Sequence, residues 1–451
     1  MIIQPAKKLH GKLSLPGDKS ISHRAAMFAA LATGETQIEN FASSADCAAT
    51  LNCLENLGVE ITRAGSSVKI KGVGKIGFEP PTVALDCENS GTTVRLLSGI
   101  LAGQNFTSEL NGDESLKKRP MRRVIEPLEK MGAKIESASF FLPMIINGKH
   151  PLKPVEYVLP VASAQVKSCI LLAGLFATGK TTISFKQSAV RNLKPEIGMM
   201  RDHTERMLNW FGVKLKETLV ADEDGFFIHQ TSIEGTTAKL VANGSLNIPS
   251  DISSAAFFLV AAACLSDSQL TLENVGLNPT RTAILDVLEN CGVKIEKSDE
   301  REVCNEPVGN LTVYGSIKPA PTTVKAVILQ GGQIPGLIDE LPVLAVLGTQ
   351  LEGGLTIRDA SELRVKESDR IAATVENLQR MGAIVEEFPD GLRVEKSTLR
   401  GAQIETYGDH RIAMAFAVAG LFAVGNTKIM DADCVKVSFP EFFDSLKKVC
   451  E

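Results

Sequence analysis

The sequence predicts an α/β protein of two similar domains. Each is built from three β-α-β-α-β-β repeats with buried parallel helices and outer sheets, an inside-out α/β barrel. Two interleaved repeats and the chain length carry this expectation. At 451 residues the chain is too long for one ordinary core. The first repeat is a helix-like stretch, then Gly, a small or branched residue and a strand. It reads AATLNCLENLGVEI (48–61), RVIEPLEKMGAKI (123–135), RMLNWFGVKL (206–215), AILDVLENCGVKI (283–295) and ATVENLQRMGAIV (373–385). Its glycines, Gly58, Gly132, Gly212, Gly292 and Gly382, recur at steps of 74, 80, 80 and 90 residues. Each stands where a left-handed helix terminator belongs. A sixth copy, EFFDSLKKVC (441–450), lacks the glycine.

The second series is a polar start, an Ala-rich apolar helix, a turn and a short strand. Its members begin at Lys19, Ser90, Ser163, Asp251, Asp339 and Asp409. These helices are apolar nearly all round, so they belong inside, with the first series outside them. Six units divide into two domains of three, with a break near IEGTTAKLVANGSLNIPSD (233–251).

One segment invites a different reading. GLFATGKTT (174–182) fits the phosphate-cradling G-x-x-x-x-G-K-[ST] pattern. A true loop of that kind follows a strand and opens a helix. Here an apolar helix (166–177) comes before it and a strand-like TTISF after it. The same slot in the other units reads as a helix-to-strand turn. An ATPase or kinase would rest on these residues alone, and Lys180 is expected to be a solvated charge near a helix end.

Composition narrows the class. The chain is 44% hydrophobic and 22% charged, with a net charge of −5, one Trp and three Tyr, so no basic field or run of aromatics suits nucleic acid. The nine Cys form no C-x-x-C pair, which points to reduced thiols in a cytoplasm. MIIQPAKKLHGKLSL has no apolar signal core, and SAAFFLVAAACL (254–265) is shorter than the ~20 residues of a membrane span. A soluble cytoplasmic protein is expected.

The chemistry collects in the turns that precede the buried helices. They read LPGDKSISHR (15–24), ENSGTTVR (88–95), VASAQVKS (161–168), NIPSDISS (247–254), GLIDELP (336–342) and YGDHRIAM (407–414). Ser, Asp and Gly are ordinary cap residues. Lys19, Arg24 and Arg411 are not, because cations are disfavoured beside a helix N-terminus. A bound anion resolves the conflict, and parallel helices aim several such ends at one cleft. KKRPMRR (117–123) adds five cations at an outer helix start. RVKESDR (364–370), taken alone, is a salt-bridged surface helix.

LPGDKSISHRA, NSGTTVR, KKRPM, SAQVKS, DHTERML, LIDELP, RVKESDR and GDHRIAM, in this order along nearly the whole chain, resemble the 5-enolpyruvylshikimate-3-phosphate synthases. The resemblance implies two domains closing over a cleft, with a chain that starts in one, crosses to the other and returns. Carried over, residues 1–19 plus 241–451 form one domain and 20–240 the other. It implies transfer of the enolpyruvyl group of phosphoenolpyruvate to the 5-hydroxyl of shikimate 3-phosphate, by addition and then elimination of phosphate, in a monomer with no cofactor. No His/Cys/carboxylate cluster in the sequence has metal-ligand spacing.

By matching position, the resemblance implies Lys19, Asp339 and Glu367 as the catalytic set, Asp339 as base and Glu367 as proton donor to the vinyl methylene. Lys19, Ser20, Arg24, Ser163, Ala164, Gln165, Asp339 and Lys366 would meet shikimate 3-phosphate. Lys19, Gly91, Arg119, Gln165, Arg370 and Arg411 would hold phosphoenolpyruvate. His410 is expected to make a structural hydrogen bond. The sequence departs from the family pattern at Met200, where a Ser is usual and Arg201 could substitute, and at Leu96, where a Pro is usual. Lys436 aligns only weakly with a lysine near the family's C-terminus. UDP-N-acetylglucosamine enolpyruvyl transferase is the related alternative. Its mobile loop carries a reactive Cys, which NGDESLKKRPM (111–121) lacks.

Overall fold

In the computed structural model, which describes residues 1–188, 200–221, 226–315 and 326–451, six helices stand inside and the sheets outside them. The inner helices are α1 (Lys19–Leu31), α2 (Gly91–Ala102), α3 (Ala164–Gly174), α4 (Ile252–Cys264), α5 (Leu341–Gly348) and α6 (His410–Leu421). α4 shows why they lie inside: every side chain from Ile252 to Ala263 is buried. Truncating either Phe257 or Phe258 at its centre would cost about 3–5 kcal/mol.

Five of the six inner helices start the same way, α5 being the exception. Asp18, Ser90, Ser163, Asp251 and Asp409 each accept a backbone N–H of the first turn through a side-chain oxygen. The outer helices end as the repeat predicts. Gly58, Gly132, Gly212, Gly292 and Gly382 all have φ between 81° and 107°, the left-handed region that glycine enters without strain.

Among the described residues the strands form five four-stranded sheets and one three-stranded sheet. The sheet of Leu85–Asp86, Thr107–Asn111, Met144–Asn147 and Lys134–Ser137 is typical, with its first pair parallel and the others antiparallel. Three sheets are completed from far along the chain, the first by Ile2–Ile3 pairing antiparallel with Thr427–Ile429. His10–Ser14 pairs in parallel with Gln269–Gly276, and Gly244–Asn247 pairs in parallel with Thr33–Glu39. The buried apolar side chains accordingly form two clusters, one from residues 21–248 and the other from 3–15 together with 252–449.

Both connections between these clusters pass the same point. Gly17 and Ser250 form an antiparallel bridge, Asp18 N donates to Pro249 O at 2.8 Å, and Asp251 N donates to Pro16 O at 3.1 Å. Position 17 must be glycine, because a Cβ there would lie 1.8 Å from Asn40 O. No helix among the described residues is long and apolar enough to cross a membrane.

Candidate active site

The starts of all six inner helices reach one cleft of about 380 Å³, a volume that suits a small-molecule site. Lys19 and Ser20 open α1, Gly91 opens α2, and Ser163, Ala164 and Gln165 open α3. Asp251 precedes α4, Asp339 precedes α5, and His410 and Arg411 open α6. Arg119, Lys366, Glu367 and Arg370 complete the wall from the outer-helix starts.

The charges are paired across the cleft. Glu367 Oε2 accepts from Arg370 Nη2 at 2.7 Å, and its Oε1 lies 3.4 Å from Arg119 Nη1. Burial alone would push the Glu367 carboxyl up, but Arg370 and Arg119 outweigh it and hold it well below the usual carboxylate range. Asp339 Oδ2 accepts from Arg201 Nη2 at 2.6 Å, and its Oδ1 is 3.6 Å from Arg370 Nη1. Its burial is likewise outweighed, here by Arg201, Arg411, Lys366 and Arg370, so it too sits well below its ordinary value. RVKESDR keeps the ion pairs Arg364–Asp369 and Arg370–Glu367 within itself, but it faces the cleft and is not a surface helix. Arg370 is 2% exposed and also donates from Nε to Asp409 Oδ2 at 2.8 Å.

Lys19 Nζ donates to Asp46 Oδ2 at 2.9 Å. Burial would lower the lysine's pKa, but Asp46 and Glu367 raise it above the ordinary value, so the ammonium stays charged. Among the described residues the buried Nε of Arg119 and the buried Nε of Arg411 have no hydrogen-bond partner. Unsatisfied buried donors are costly, and an anion in the cleft would satisfy them.

Of the residues expected at the site, Lys19, Ser20, Gly91, Arg119, Ser163, Ala164, Gln165, Asp339, Lys366, Glu367, Arg370 and Arg411 all line this one cleft. Arg24 does not. It is 4% exposed and spends its guanidinium on Ser20 O at 2.9 Å, Ser168 Oγ at 2.8 Å and Thr204 Oγ1 at 2.7 Å. The structural hydrogen bond expected of His410 is absent at Nδ1, a buried atom without a partner among the described residues. Burial, Lys19 and Arg411 push that imidazole well below its ordinary value, so it is neutral. Lys436 is exposed, paired with Asp433 at 2.8 Å, and lies off the cleft wall. Met200 does line the cleft with Arg201 beside it, whereas Leu96 is wholly buried.

Lys180 is exposed and opens the strand Lys180–Ser188, after α3 has ended at Gly174. The G-x-x-x-x-G-K-T segment is thus a helix-to-strand turn at the far end of α3 from the cleft. Sequence reasoning missed Thr92, Arg95, Asp46 and Arg281, all on the cleft wall. Arg95 had a usable signal: a lone cation inside the otherwise apolar GTTVRLLSGILA. Among the described residues no group of three or more His, Cys, Asp or Glu side chains could hold a metal ion.

Comparison with known proteins gives the chain's relatives. A model of the family described as EPSP synthase (3-phosphoshikimate 1-carboxyvinyltransferase) matches residues 3–446. The chain is 46% identical over 458 residues to the 3-phosphoshikimate 1-carboxyvinyltransferase of Bacillus cereus (strain G9842), covering 100% of this chain and 99% of that one. It is 47% identical over 453 residues to the like-named protein of Desulforamulus reducens, again covering 100% and 99%. A solved structure of EPSP synthase from Acinetobacter baumannii superposes with a TM-score of 0.82 at 40% identity, covering 100% of this chain and 97% of that one.

Proposed function

The chain belongs to the EPSP synthase family, and from that premise we propose how its cleft divides the work of the family's reaction. The protein transfers the enolpyruvyl group of phosphoenolpyruvate to shikimate 3-phosphate and releases phosphate, a step of the shikimate pathway. In our reading Ser20, Ser163, Ala164, Gln165, Asp339 and Lys366 meet shikimate 3-phosphate, and Arg24 enters through the Ser20 carbonyl it holds. Gly91, Arg119, Gln165, Arg370 and Arg411 hold phosphoenolpyruvate, and Lys19 touches both substrates.

The addition needs a proton removed from the 5-hydroxyl and one given to the vinyl methylene. The hydroxyl oxygen then bonds to the central carbon of the enolpyruvyl group. In the elimination the new methyl loses a proton, the double bond re-forms and the carbon–phosphate oxygen bond breaks. Asp339 takes the hydroxyl proton and Glu367 serves the methylene. In the empty cleft Glu367 is held ionised by Arg370 and Arg119. A substrate carboxylate and phosphate that engage those two guanidiniums release the hold and let Glu367 take a proton from solvent. It delivers that proton to the methylene in the addition and takes one back from the new methyl in the elimination. Lys19, kept charged beside Asp46, balances the departing phosphate.

The observation that carries this reading is the pair of carboxylates, each clamped by guanidiniums, at the meeting point of six helix N-termini. One assay matrix tests it. Phosphate release from phosphoenolpyruvate is expected with shikimate 3-phosphate and not with ATP or UDP-N-acetylglucosamine; release only with UDP-N-acetylglucosamine overturns it.

We further read residues 1–19 plus 241–451 and residues 20–240 as two domains that close on the substrates. Their two apolar clusters and the ion pairs Arg119–Glu367 and Arg201–Asp339 between them support this. Small-angle scattering should show contraction on saturation with both substrates; an unchanged radius counts against it. The same reading makes the protein a cytoplasmic monomer without a nucleic-acid partner, in keeping with its net charge of −5. Light scattering after gel filtration checks the mass.

A further inference from the structure

Arg95 is held against two of the residues assigned above to phosphoenolpyruvate. It lies four residues after Gly91 on α2, so its side chain runs back toward the helix N-terminus. Its Nη1 donates to Gln165 Oε1 at 2.8 Å and to the Gly91 carbonyl at 3.3 Å. The other end of the Gln165 amide, Nε2, donates to Thr92 Oγ1 at 3.0 Å.

A guanidinium carries donors and no acceptor, so it can face only the oxygen end of an amide. Arg95 therefore removes the two-fold ambiguity that a glutamine side chain otherwise has. The nitrogen end is left toward Thr92 and the cleft that Gln165 lines. The fit around Gly91 is just as specific. A Cβ there would stand 2.7 Å from Arg95 Nη1 and 3.3 Å from Arg119 Nη1. Any side chain at 91 must push the Arg95 head aside. Burial and the neighbouring Arg119 bring the Arg95 pKa down to about 10, which still leaves the guanidinium charged at neutral pH.

We propose that Arg95 is a positioning residue that locks the Gln165 amide with its NH2 toward the phosphoenolpyruvate anion, and that the bare Cα of Gly91 gives its guanidinium the room to do so. The inference rests on the reading that phosphoenolpyruvate lies against Gly91, Gln165 and Arg119. Without Arg95 the amide can turn its oxygen to the anion, trading a charge-assisted hydrogen bond for a repulsion. Substrate binding should suffer more than turnover.

The test is steady-state kinetics with varied phosphoenolpyruvate at saturating shikimate 3-phosphate. Arg95→Met should raise the KM for phosphoenolpyruvate about tenfold, the order of one hydrogen bond to a charged group, with kcat within about threefold. Arg95→Lys, still donor-only, should recover most of that loss. The Arg95→Met, Gln165→Ala double variant should be no worse than Gln165→Ala alone. Losses that multiply in the double variant, or an unchanged KM in Arg95→Met while Gln165→Ala raises it, overturn the positioning role and leave the substrate placement standing. An unchanged KM in Gln165→Ala overturns both. Should Arg95→Met not fold, Gly91→Ala reads the same contact from the other side. It should raise the KM for phosphoenolpyruvate but not for shikimate 3-phosphate, and by less in an Arg95→Lys background. An equal rise in both backgrounds overturns the proposal.

Discussion

Replacing Glu367 with Gln removes one negative charge from a position where two guanidiniums converge. Arg370 Nη2 is 2.7 Å from the carboxylate and Arg119 Nη1 is 3.4 Å, and the two arginine side chains are 2% and 7% exposed. The gross attraction at those distances is about 5–6 kcal/mol per pair at an effective dielectric of about 20. Net of solvation, a hydrogen bond to a charged group amounts to roughly 1.5–3 kcal/mol. In the proposed mechanism phosphoenolpyruvate must compete with Glu367 for both cations. The neutral variant should therefore bind it more tightly, by about 1–2 kcal/mol or roughly 5–30-fold. Turnover should move the other way, falling about 10²–10⁴-fold with the proton donor gone. Calorimetry with phosphoenolpyruvate in the presence of shikimate 3-phosphate reads the affinity, and single-turnover quench reads the chemistry. Weaker binding refutes the competition, and a rate within threefold of the parent refutes the proton role.

Asp339→Ala should lose about 10²–10⁴-fold in turnover. Its stability cost should be smaller, about 1–3 kcal/mol, because only Arg201 is stranded while Arg370 keeps Asp409 and Glu367. Activity within tenfold of the parent, measured beside a melting curve, would sink the assignment. Asp339 and Glu367 are both held below their ordinary values in the folded protein. The stability they lend the ligand-free state is therefore present above their unfolded pKa values, about 4, and is lost as pH falls below that range toward the folded values. The melting temperature should drop more steeply between about pH 5 and 3 in the parent than in Glu367→Gln, and parallel slopes would contradict this. Lys180→Ala should leave turnover unchanged, with no calorimetric signal for ATP in either protein; ATP binding lost on this substitution would revive the nucleotide reading.

The architecture was legible because its signals are local. A glycine closing five of the outer helices and a capping side chain opening most inner ones are set by a few adjacent residues, and those five glycines proved left-handed. The wall of the cleft was legible where a cation sat beside a helix N-terminus, as with Lys19 and Arg411. Partnerships over long separations were not. Nothing near Arg201 in the chain announces Asp339, 138 residues on, and nothing near Gln165 announces Arg95. Asp46 reads as an ordinary first-turn acid until folding brings it to Lys19. Arg24 shows another limit of local pattern: the fold turns this cation at a helix start inward, onto hydroxyls and a carbonyl. Nor could local pattern show that the strand His10–Ser14 pairs with one beginning at Gln269, since pairing across such a loop leaves no trace in either segment.

That distant pairing has a consequence for synthesis. Leu9 N finds its acceptor, Ser268 Oγ, 259 residues later. At about 5–20 residues per second the strand His10–Ser14 emerges from the ribosome and waits roughly 13–50 s for its partner. The sheet around Thr33–Glu39 likewise stays one strand short until Gly244–Asn247 appears. An unpaired strand is a template for wrong pairing, and charged side chains on it are the usual protection. Lys7, Lys8 and Lys12 lie in and beside this one. The basic character of the first dozen residues thus suits a segment that must stay soluble and uncommitted while most of the chain is made.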